Sequence, residues 1–266
     1  MFKAAVLALG VLFVSATSGW SQNCQGPING LTFTSVDSDH VRIPDPGGAP
    51  FDGFADFTIE FWLKSGSAGI DTLVSKWRQS TATEAPYLVR LLAGRIQVFF
   101  TNGFSVLGNV TVNNNQWHHV AVTRTGSACQ LVIDGIQDIA FVYAPTLNAM
   151  NGPLVFGCFL DVNDDPIAGT FLQGSLDEVR IWNTGRTVAQ ILATKDQSLN
   201  GITPNLVGAW RLDSTSGQTV SDESATGAHG VLGTTNAAAL NDPVCPAATG
   251  LSLGYPCVSP GSGDAN

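Results

Sequence analysis

Charged residues are scarce in this chain of 266 residues, because Asp, Glu, Lys and Arg together make up only 12% of it. Soluble proteins usually contain about a quarter. Lys and Arg number 12 against 21 Asp and Glu, and the formal net charge is -9. This shortage of basic residues excludes a nucleic-acid-binding face, which needs clustered Lys and Arg. It also argues against coiled coils and helical bundles, which repeat Lys, Glu, Arg and Leu at helical spacing.

Long apolar runs are missing as well, since none reaches the roughly 20 residues of a transmembrane helix. The run from Ala4 to Ala16 follows the positive charge of Lys3 and precedes the small residues of positions 19–21. This order is typical of a secretory signal peptide with its cleavage site. We therefore expect a signal peptide at residues 1–21 and a secreted mature chain without a membrane span.

The five cysteines fit an oxidising compartment, and no two of them have the spacing of a zinc finger. Cys24 begins the mature chain, and Cys245 follows its last apolar segment. Because the ends of a domain often lie close together, we expect a Cys24–Cys245 or a Cys24–Cys257 disulfide. Cys129 and Cys158 lie within strand-like runs, where a cysteine is by default a buried small hydrophobic residue.

Short strands dominate the body of the chain, about a dozen of them, each bounded by Gly, Pro, Asn or Asp. In the run from Phe57 to Trp62, Phe57, Ile59 and Phe61 face one side of the strand, and the residues between them face the other. Ala93-Gly94 and Asp134-Gly135 predict two-residue hairpin turns.

One segment, Arg186 to Asp196, has a helical pattern. Thr187 is its expected cap, and Val188, Ile191 and Leu192 form its apolar stripe. Many strands and one short helix predict an all-β antiparallel sandwich that forms a single domain.

Several segments resemble laminin-G-like jelly-roll domains of the concanavalin A-like group, which includes pentraxins. In order, they are residues 31–44, 57–62, 116–123, 131–135 and 174–183. The resemblance implies an antiparallel jelly-roll sandwich of concanavalin A-like type over residues 22–250. Residues 251–266 have a linker composition, and Asp264-Ala265-Asn266 is similar to the start of a calcium-binding loop, which would fit a further module beyond this tail.

Folds of this group host lectins, adhesion modules and glycosidases, so the fold alone does not define the function. Glycosidases of this type need two carboxylates on one strand face. The chain has only four glutamates, and none of them stands in the Glu-x-Asp-x-x-Glu pattern of such glycosidases. We expect Glu60 to form a structural pair with Arg180 on a neighbouring strand, and His118 and His119 to be ordinary strand residues. We therefore predict a protein that is not an enzyme.

Calcium is the better-supported chemistry, because hard cations require several oxygen ligands from loops. The loop 161–165 contains three carboxylates that would repel one another in the absence of a cation. In pentraxins a calcium loop occupies the equivalent place, and this resemblance implies Asp161, Asn163 and Asp165 as ligands, with Glu84 from a second loop. The alternative is a solvated acidic turn.

These observations predict a secreted, non-catalytic module that binds a glycan, a polysaccharide or an extracellular protein surface, with calcium as its cofactor. A structural or adhesion module of a larger surface protein is one alternative. A glycoside hydrolase or lyase on the same fold is another. Four aromatic residues near turns are candidates for stacking on sugar rings, with core roles as the competing interpretation: Tyr87, Tyr143, Phe104 and Trp77.

Overall fold

The computed structural model describes residues 30–47, 50–79, 86–199, 201–213, 217–233 and 242–243. The expected signal peptide (1–21) and tail (251–266) lie outside these ranges. Within them are one α-helix, α1 (Val188–Thr194), one 3-10 turn (Thr101–Gly103) and 17 strands. The strands in chain order are β1 (Leu31–Phe33), β2 (Val41–Ile43), β3 (Phe57–Ser65), β4 (Ile70–Lys76), β5 (Arg78–Gln79), β6 (Tyr87–Leu92), β7 (Arg95–Phe100), β8 (Phe104–Thr111), β9 (Trp117–Thr125), β10 (Ala128–Ile133), β11 (Ile136–Val142), β12 (Leu154–Phe156), β13 (Leu160–Asp161), β14 (Gly174–Trp182), β15 (Leu206–Trp210), β16 (Thr219–Val220) and β17 (Gly230–Leu232).

Two antiparallel sheets form the body of the molecule. The seven-stranded sheet has the order β1-β14-β3-β9-β10-β11, and β15 also pairs with β14. The eight-stranded sheet has the order β16-β17-β2-β12-β4-β6-β7-β8, and a separate parallel pair joins β13 to β5. A single core of buried apolar side chains draws on both sheets. This arrangement confirms the predicted concanavalin A-like jelly-roll sandwich.

The inner face of each sheet follows the alternation that the sequence predicts. On β3, Phe57, Ile59 and Phe61 are fully buried in the core. On β7, Val98 and Phe100 point into the core, whereas Phe99 between them is half-buried. Because successive side chains on a strand point to opposite faces, each sheet has a core face and an outer face.

Two tight turns have the geometry that the sequence predicts. Leu92 pairs with Arg95 across the Ala93-Gly94 turn, and both turn residues have positive φ, 49° and 78°. Positive φ at both central positions is the type I′ geometry, which matches the twist of a hairpin. The Asp134-Gly135 turn repeats it, with φ values of 54° and 78°.

Residues 183–199, here called the α1 segment, cover part of the outer face of the seven-stranded sheet. Ile191 packs against Ala121 of β9 and Val132 of β10. The helix begins after Thr187, whose side chain accepts a hydrogen bond from the Gln190 backbone N–H in a capping box, as the sequence predicts. Because the α1 segment shields them, Thr58, Glu60 and Trp62 on the outer face of β3 are as buried as its core residues, whereas Lys64 near the end of the strand is exposed.

Leu192 does not belong to the apolar stripe that the sequence predicts. Its side chain is 52% exposed. It lies over the Asp134-Gly135 turn, where a Cβ on Gly135 would approach the Leu192 Cδ1 to 2.7 Å. None of the helices in the described ranges combines the length and apolar character needed to cross a membrane.

Candidate functional site

The acidic loop is organised around Asp161, the first residue of the expected calcium site. Its Oδ1 accepts hydrogen bonds from the backbone N–H groups of Asn163 at 2.8 Å and Asp165 at 3.0 Å. These bonds, first from Asp165 and then from Asn163, lower the pKa of Asp161 from its usual value. The loop is therefore a turn whose central carboxylate already has protein partners.

Two arginine side chains from β5 and β2 contact this loop. The Arg78 guanidinium binds the Asp164 carboxylate with two bonds, Nε to Oδ1 at 2.5 Å and Nη2 to Oδ2 at 2.7 Å. Arg42 Nη2 lies 3.5 Å from the same carboxylate. Contrary to the prediction from the sequence, Asp164 needs no cation to offset carboxylate repulsion, because two arginines supply the positive charge.

Across the described part of the chain, no three His, Cys, Asp or Glu side chains come close enough together to hold a metal ion. The fourth expected ligand, Glu84, lies outside the described residues. The calcium site at Asp161, Asn163 and Asp165 stays a prediction.

The expected disulfide also lies outside the described residues, since Cys24, Cys245 and Cys257 are not among them. Cys129 and Cys158 are both described; both are buried, as the sequence predicts, and both are free thiols. Burial is the main reason that the pKa of Cys129 rises to about 11. Such a thiol is a core residue rather than a reactive one.

The Glu60–Arg180 pair that the sequence predicts is present beneath the α1 segment, as part of a larger network. Glu60 and Arg180 are register partners on β3 and β14, with Oε1 and Nη1 3.6 Å apart. The same Glu60 Oε1 accepts hydrogen bonds from Arg186 Nη1 at 2.9 Å and Trp182 Nε1 at 3.0 Å. Arg180 also binds Glu178 Oε2 through Nη2 at 2.8 Å.

Neither glutamate of this network has the access that glycoside hydrolysis requires. Glu60 is fully buried and Glu178 is 5% exposed. A general acid or nucleophile must touch the glycosidic bond, so two covered carboxylates cannot flank it. The network instead attaches the α1 segment to the sheet, since Arg186 belongs to that segment and Arg180 Nη1 donates to the Thr194 carbonyl at 3.0 Å.

A different surface combines aromatic rings with guanidinium and amide groups. On the outer face of the eight-stranded sheet, the half-buried rings of Trp77 and Phe99 meet edge to face, with centroids 6.0 Å apart. The Arg90 guanidinium lies 4.5 Å from the centroid of the Phe99 ring. Arg90 Nε donates to Gln97 Oε1 at 2.9 Å, across the β6–β7 pair. We call Trp77, Arg90, Gln97 and Phe99 the aromatic–arginine patch.

Sequence reasoning found one of the four patch residues. Of the four aromatic candidates, Tyr87 and Tyr143 are core residues, and Phe104 packs against the core. Trp77 alone lies on an outer face. The alternation of β6 and β7 placed Arg90, Gln97 and Phe99 on one face, but no local signal says which of these faces is left uncovered.

A small cleft of about 220 Å³ lies elsewhere, between the edges of the two sheets. Arg211 and Glu223 form an ion pair at 2.7 Å on its wall. Both side chains are about one-third exposed, so the pair adds little stability.

Two packed antiparallel sheets with one short helix define the concanavalin A-like jelly-roll class of protein. A laminin G family model, described as the concanavalin A-like lectin/glucanases superfamily, matches residues 35–192. This match covers more than half of the sequence, and the chain belongs to this superfamily. The laminin-G-like resemblance is thereby confirmed. No curated protein matches the chain.

Solved structures share the fold at low sequence identity. A protein from Bacteroides ovatus ATCC 8483, to which carbohydrate binding has been ascribed, is 18% identical with a TM-score of 0.62. The match covers 81% of this chain and 61% of the Bacteroides protein, so the chain spans about three-fifths of that relative. The CBM40 of the Ruminococcus gnavus IT-sialidase is 13% identical, over 61% of this chain and 95% of that one, with a TM-score of 0.48. A SAP-like pentraxin from Limulus polyphemus is 14% identical, over 64% of this chain and 86% of that one, with a TM-score of 0.47.

Proposed function

We propose that this chain is a secreted, non-catalytic module that binds glycans through the aromatic–arginine patch. The observation that carries the proposal is the pair of half-buried rings, Trp77 and Phe99, beside Arg90 and Gln97 on a sheet face that the described part of the chain leaves partly exposed. The apolar face of a sugar ring packs on an aromatic ring, while guanidinium and amide groups bond its hydroxyls. Membership of a superfamily named for lectins and glucanases supports the same function.

Secretion is supported by the N-terminal pattern, a lysine followed by an apolar run and small residues. Calcium binding at the acidic loop would affect the position of Trp77 in the aromatic–arginine patch through Arg78. This residue follows Trp77 in the chain and binds Asp164 of the loop. A cation at Asp161 and Asp165 would therefore order the loop that positions the patch tryptophan.

The absence of catalysis is part of the proposal. Glu60 and Glu178, the strand glutamates best placed to serve as catalytic carboxylates, are buried in a network that attaches the α1 segment. No polysaccharide should be cleaved under any metal condition. Turnover that disappears in Glu60→Gln or Glu178→Gln, with folding intact, would contradict this part of the proposal.

The binding proposal is tested on a glycan array, with and without a calcium chelator, followed by calorimetry on the best ligand. Trp77→Ala and Phe99→Ala should each weaken binding by at least about tenfold, because truncating an aromatic residue at the centre of a site costs about 2 kcal/mol. Trp117→Ala is the matched control, since Trp117 is a half-buried tryptophan on β9 of the other sheet. Its affinity should equal that of the wild type.

An array without any bound glycan would favour the structural or adhesion module. Equal losses in Trp77→Ala and Trp117→Ala would show that the patch is not the site. Binding that survives both patch variants and is lost in Arg211→Ala would move the site to the cleft between the sheet edges.

A further inference from the structure

The basic residues of this acidic chain are mostly neutralised by carboxylates. Seven of those described have a carboxylate within ion-pair distance: Arg42, Lys76, Arg78, Arg180, Arg186, Lys195 and Arg211. The described basic residues without one are Lys64, Arg90, Arg95 and Arg124. Of these four, Arg124 is buried and donates to the Gly126 carbonyl, and Lys64 is exposed on the other sheet. Arg90 and Arg95 share one surface.

Arg90 is held in place without being neutralised. Its Nε donates to Gln97 and its guanidinium packs on the Phe99 ring, but its Nη1 and Nη2 groups have no partner among the described residues. Burial lowers the pKa of Arg90 from its usual value. Among the described residues, no neighbouring carboxylate counteracts this shift. The fork of a guanidinium held in this way is available for an external anion.

Arg95 extends the same positive surface along β7. Arg95, Gln97 and Phe99 occupy alternate positions of the strand, so all three are on the outer face. Arg95 lies about 7 Å from Gln97 along the strand, at two residues of β-strand rise. Its Nη1 donates to the Gly108 carbonyl at 3.3 Å, which directs the side chain across β8. Two unneutralised arginines therefore follow one another along the face that carries the patch.

We infer that the glycan bound by the aromatic–arginine patch is anionic and carries carboxylate groups, as uronate polysaccharides do. The inference rests on the proposed glycan-binding function and specifies its ligand class. A planar guanidinium binds a planar carboxylate through two parallel hydrogen bonds, a match that a neutral sugar hydroxyl does not offer. The Phe99 and Trp77 rings provide the stacking surface beside it, and successive uronate residues provide a charge for Arg95.

The test uses pairs of polysaccharides that differ in charge alone. De-esterified polygalacturonate is compared with its fully methyl-esterified form by calorimetry, and dextran sulfate is compared with dextran. Alginate and hyaluronan extend the uronate panel, and galactan, mannan and xylan extend the neutral one. At least one uronate should bind about tenfold more tightly than every neutral polysaccharide. Raising the salt concentration from 50 to 500 mM should weaken that binding, because exposed charges are screened.

Variants connect the preference to Arg90. Arg90→Gln should reduce the preference for the uronate by about tenfold, and Arg90→Lys, which keeps the charge but loses the fork, should have intermediate affinity. Lys64→Gln is the matched control, because it removes one positive charge from the other sheet, and its affinity should not change. Melting curves of all three variants verify that the fold is intact.

The outcomes separate this inference from the proposed function. In one outcome, a neutral glycan or the methyl ester binds with undiminished affinity and loses that binding in Trp77→Ala. This result would overturn the inference that the ligand is anionic, but it would support the proposed glycan-binding site. Binding to dextran sulfate but to none of the uronates would overturn the inference that the recognised group is a carboxylate. Loss of uronate preference in Lys64→Gln as in Arg90→Gln would show that net charge, and not the patch, is recognised. Binding to no polysaccharide of either charge would remove both proposals.

Discussion

His119 is enclosed beneath the α1 segment among charges that oppose its protonation. The side chain is 1% exposed, and its ring meets the Trp62 ring edge to face. Its buried Nδ1 has no hydrogen-bond partner among the described residues. The Glu60 carboxylate lies 3.8 Å from Nε2. Burial first, and then the positive charges of Arg180, Lys195 and Arg186, lower the pKa of His119 well below 6.5.

Acidification should therefore destabilise the domain through this residue. Well above pH 6.5, His119 is neutral in both the folded and the unfolded state and contributes no pH dependence. As the pH falls below 6.5, the unfolded chain binds a proton that the folded state does not accept, so stability falls with a limiting slope of about 1.4 kcal/mol per pH unit. Between pH 7 and pH 5 the loss amounts to about 2 kcal/mol. For a domain of this size it lowers the melting temperature by about 4–8 °C.

The measurement compares the wild type with His119→Gln by chemical denaturation at a series of pH values. His40 and Asp177 also have shifted pKa values, downward and upward respectively, and both change the total pH dependence. Because both residues are present in both proteins, the difference between the two unfolding free energies isolates His119. This difference should fall by about 2 kcal/mol from pH 7 to pH 5. A flat difference would refute the reasoning.

Three other predictions follow from the described contacts. Glu60→Gln should cost about 3 kcal/mol, since it leaves the buried Arg186 guanidinium without its carboxylate and Arg180 with Glu178 alone, and a calorimetric loss below about 1 kcal/mol would contradict it. Calcium should raise the melting temperature of the wild type, and Asp161→Ala with Asp165→Ala should abolish the rise; no shift up to millimolar calcium would end the calcium prediction. The double variant should be less stable than the wild type without calcium, because the Asp161 carboxylate accepts two backbone hydrogen bonds. Gly157→Ala should cost about 2–3 kcal/mol, because φ is 92° and a Cβ would lie 2.7 Å from Phe33 Cδ1, and an unchanged melting temperature would show that the backbone relaxes.

The acidic loop at residues 161–165 shows why the charge of a candidate site could not be predicted from a local sequence pattern. Asp161 to Asp165 contain the residue types that bind calcium, and sequence reasoning counted their charges within that loop alone. The arginine that neutralises Asp164 is Arg78, which is 86 positions away in the chain. Only the parallel pairing of β13 with β5 brings the two together. The net charge of a site is thus a property of sheet topology.

The sequence by itself determined the features that arise from neighbouring residues. Local sterics and hydrogen bonds set the alternation on β3 and β7, the Ala93-Gly94 turn and the Thr187 cap. Each of these features can therefore be predicted from its own segment of the sequence. The order of such segments along the chain was enough to predict the laminin-G-like family.

The tertiary structure alone decided which sheet faces are covered. Thr58, Glu60 and Trp62 on the outer face of β3 are buried because the α1 segment packs over them, with Arg186 of that segment 126 positions after Glu60, whereas Arg90 and Phe99 on the outer face of β6 and β7 are only half-buried. Alternation gives each strand two faces, but only long-range packing determines which of them becomes a binding surface.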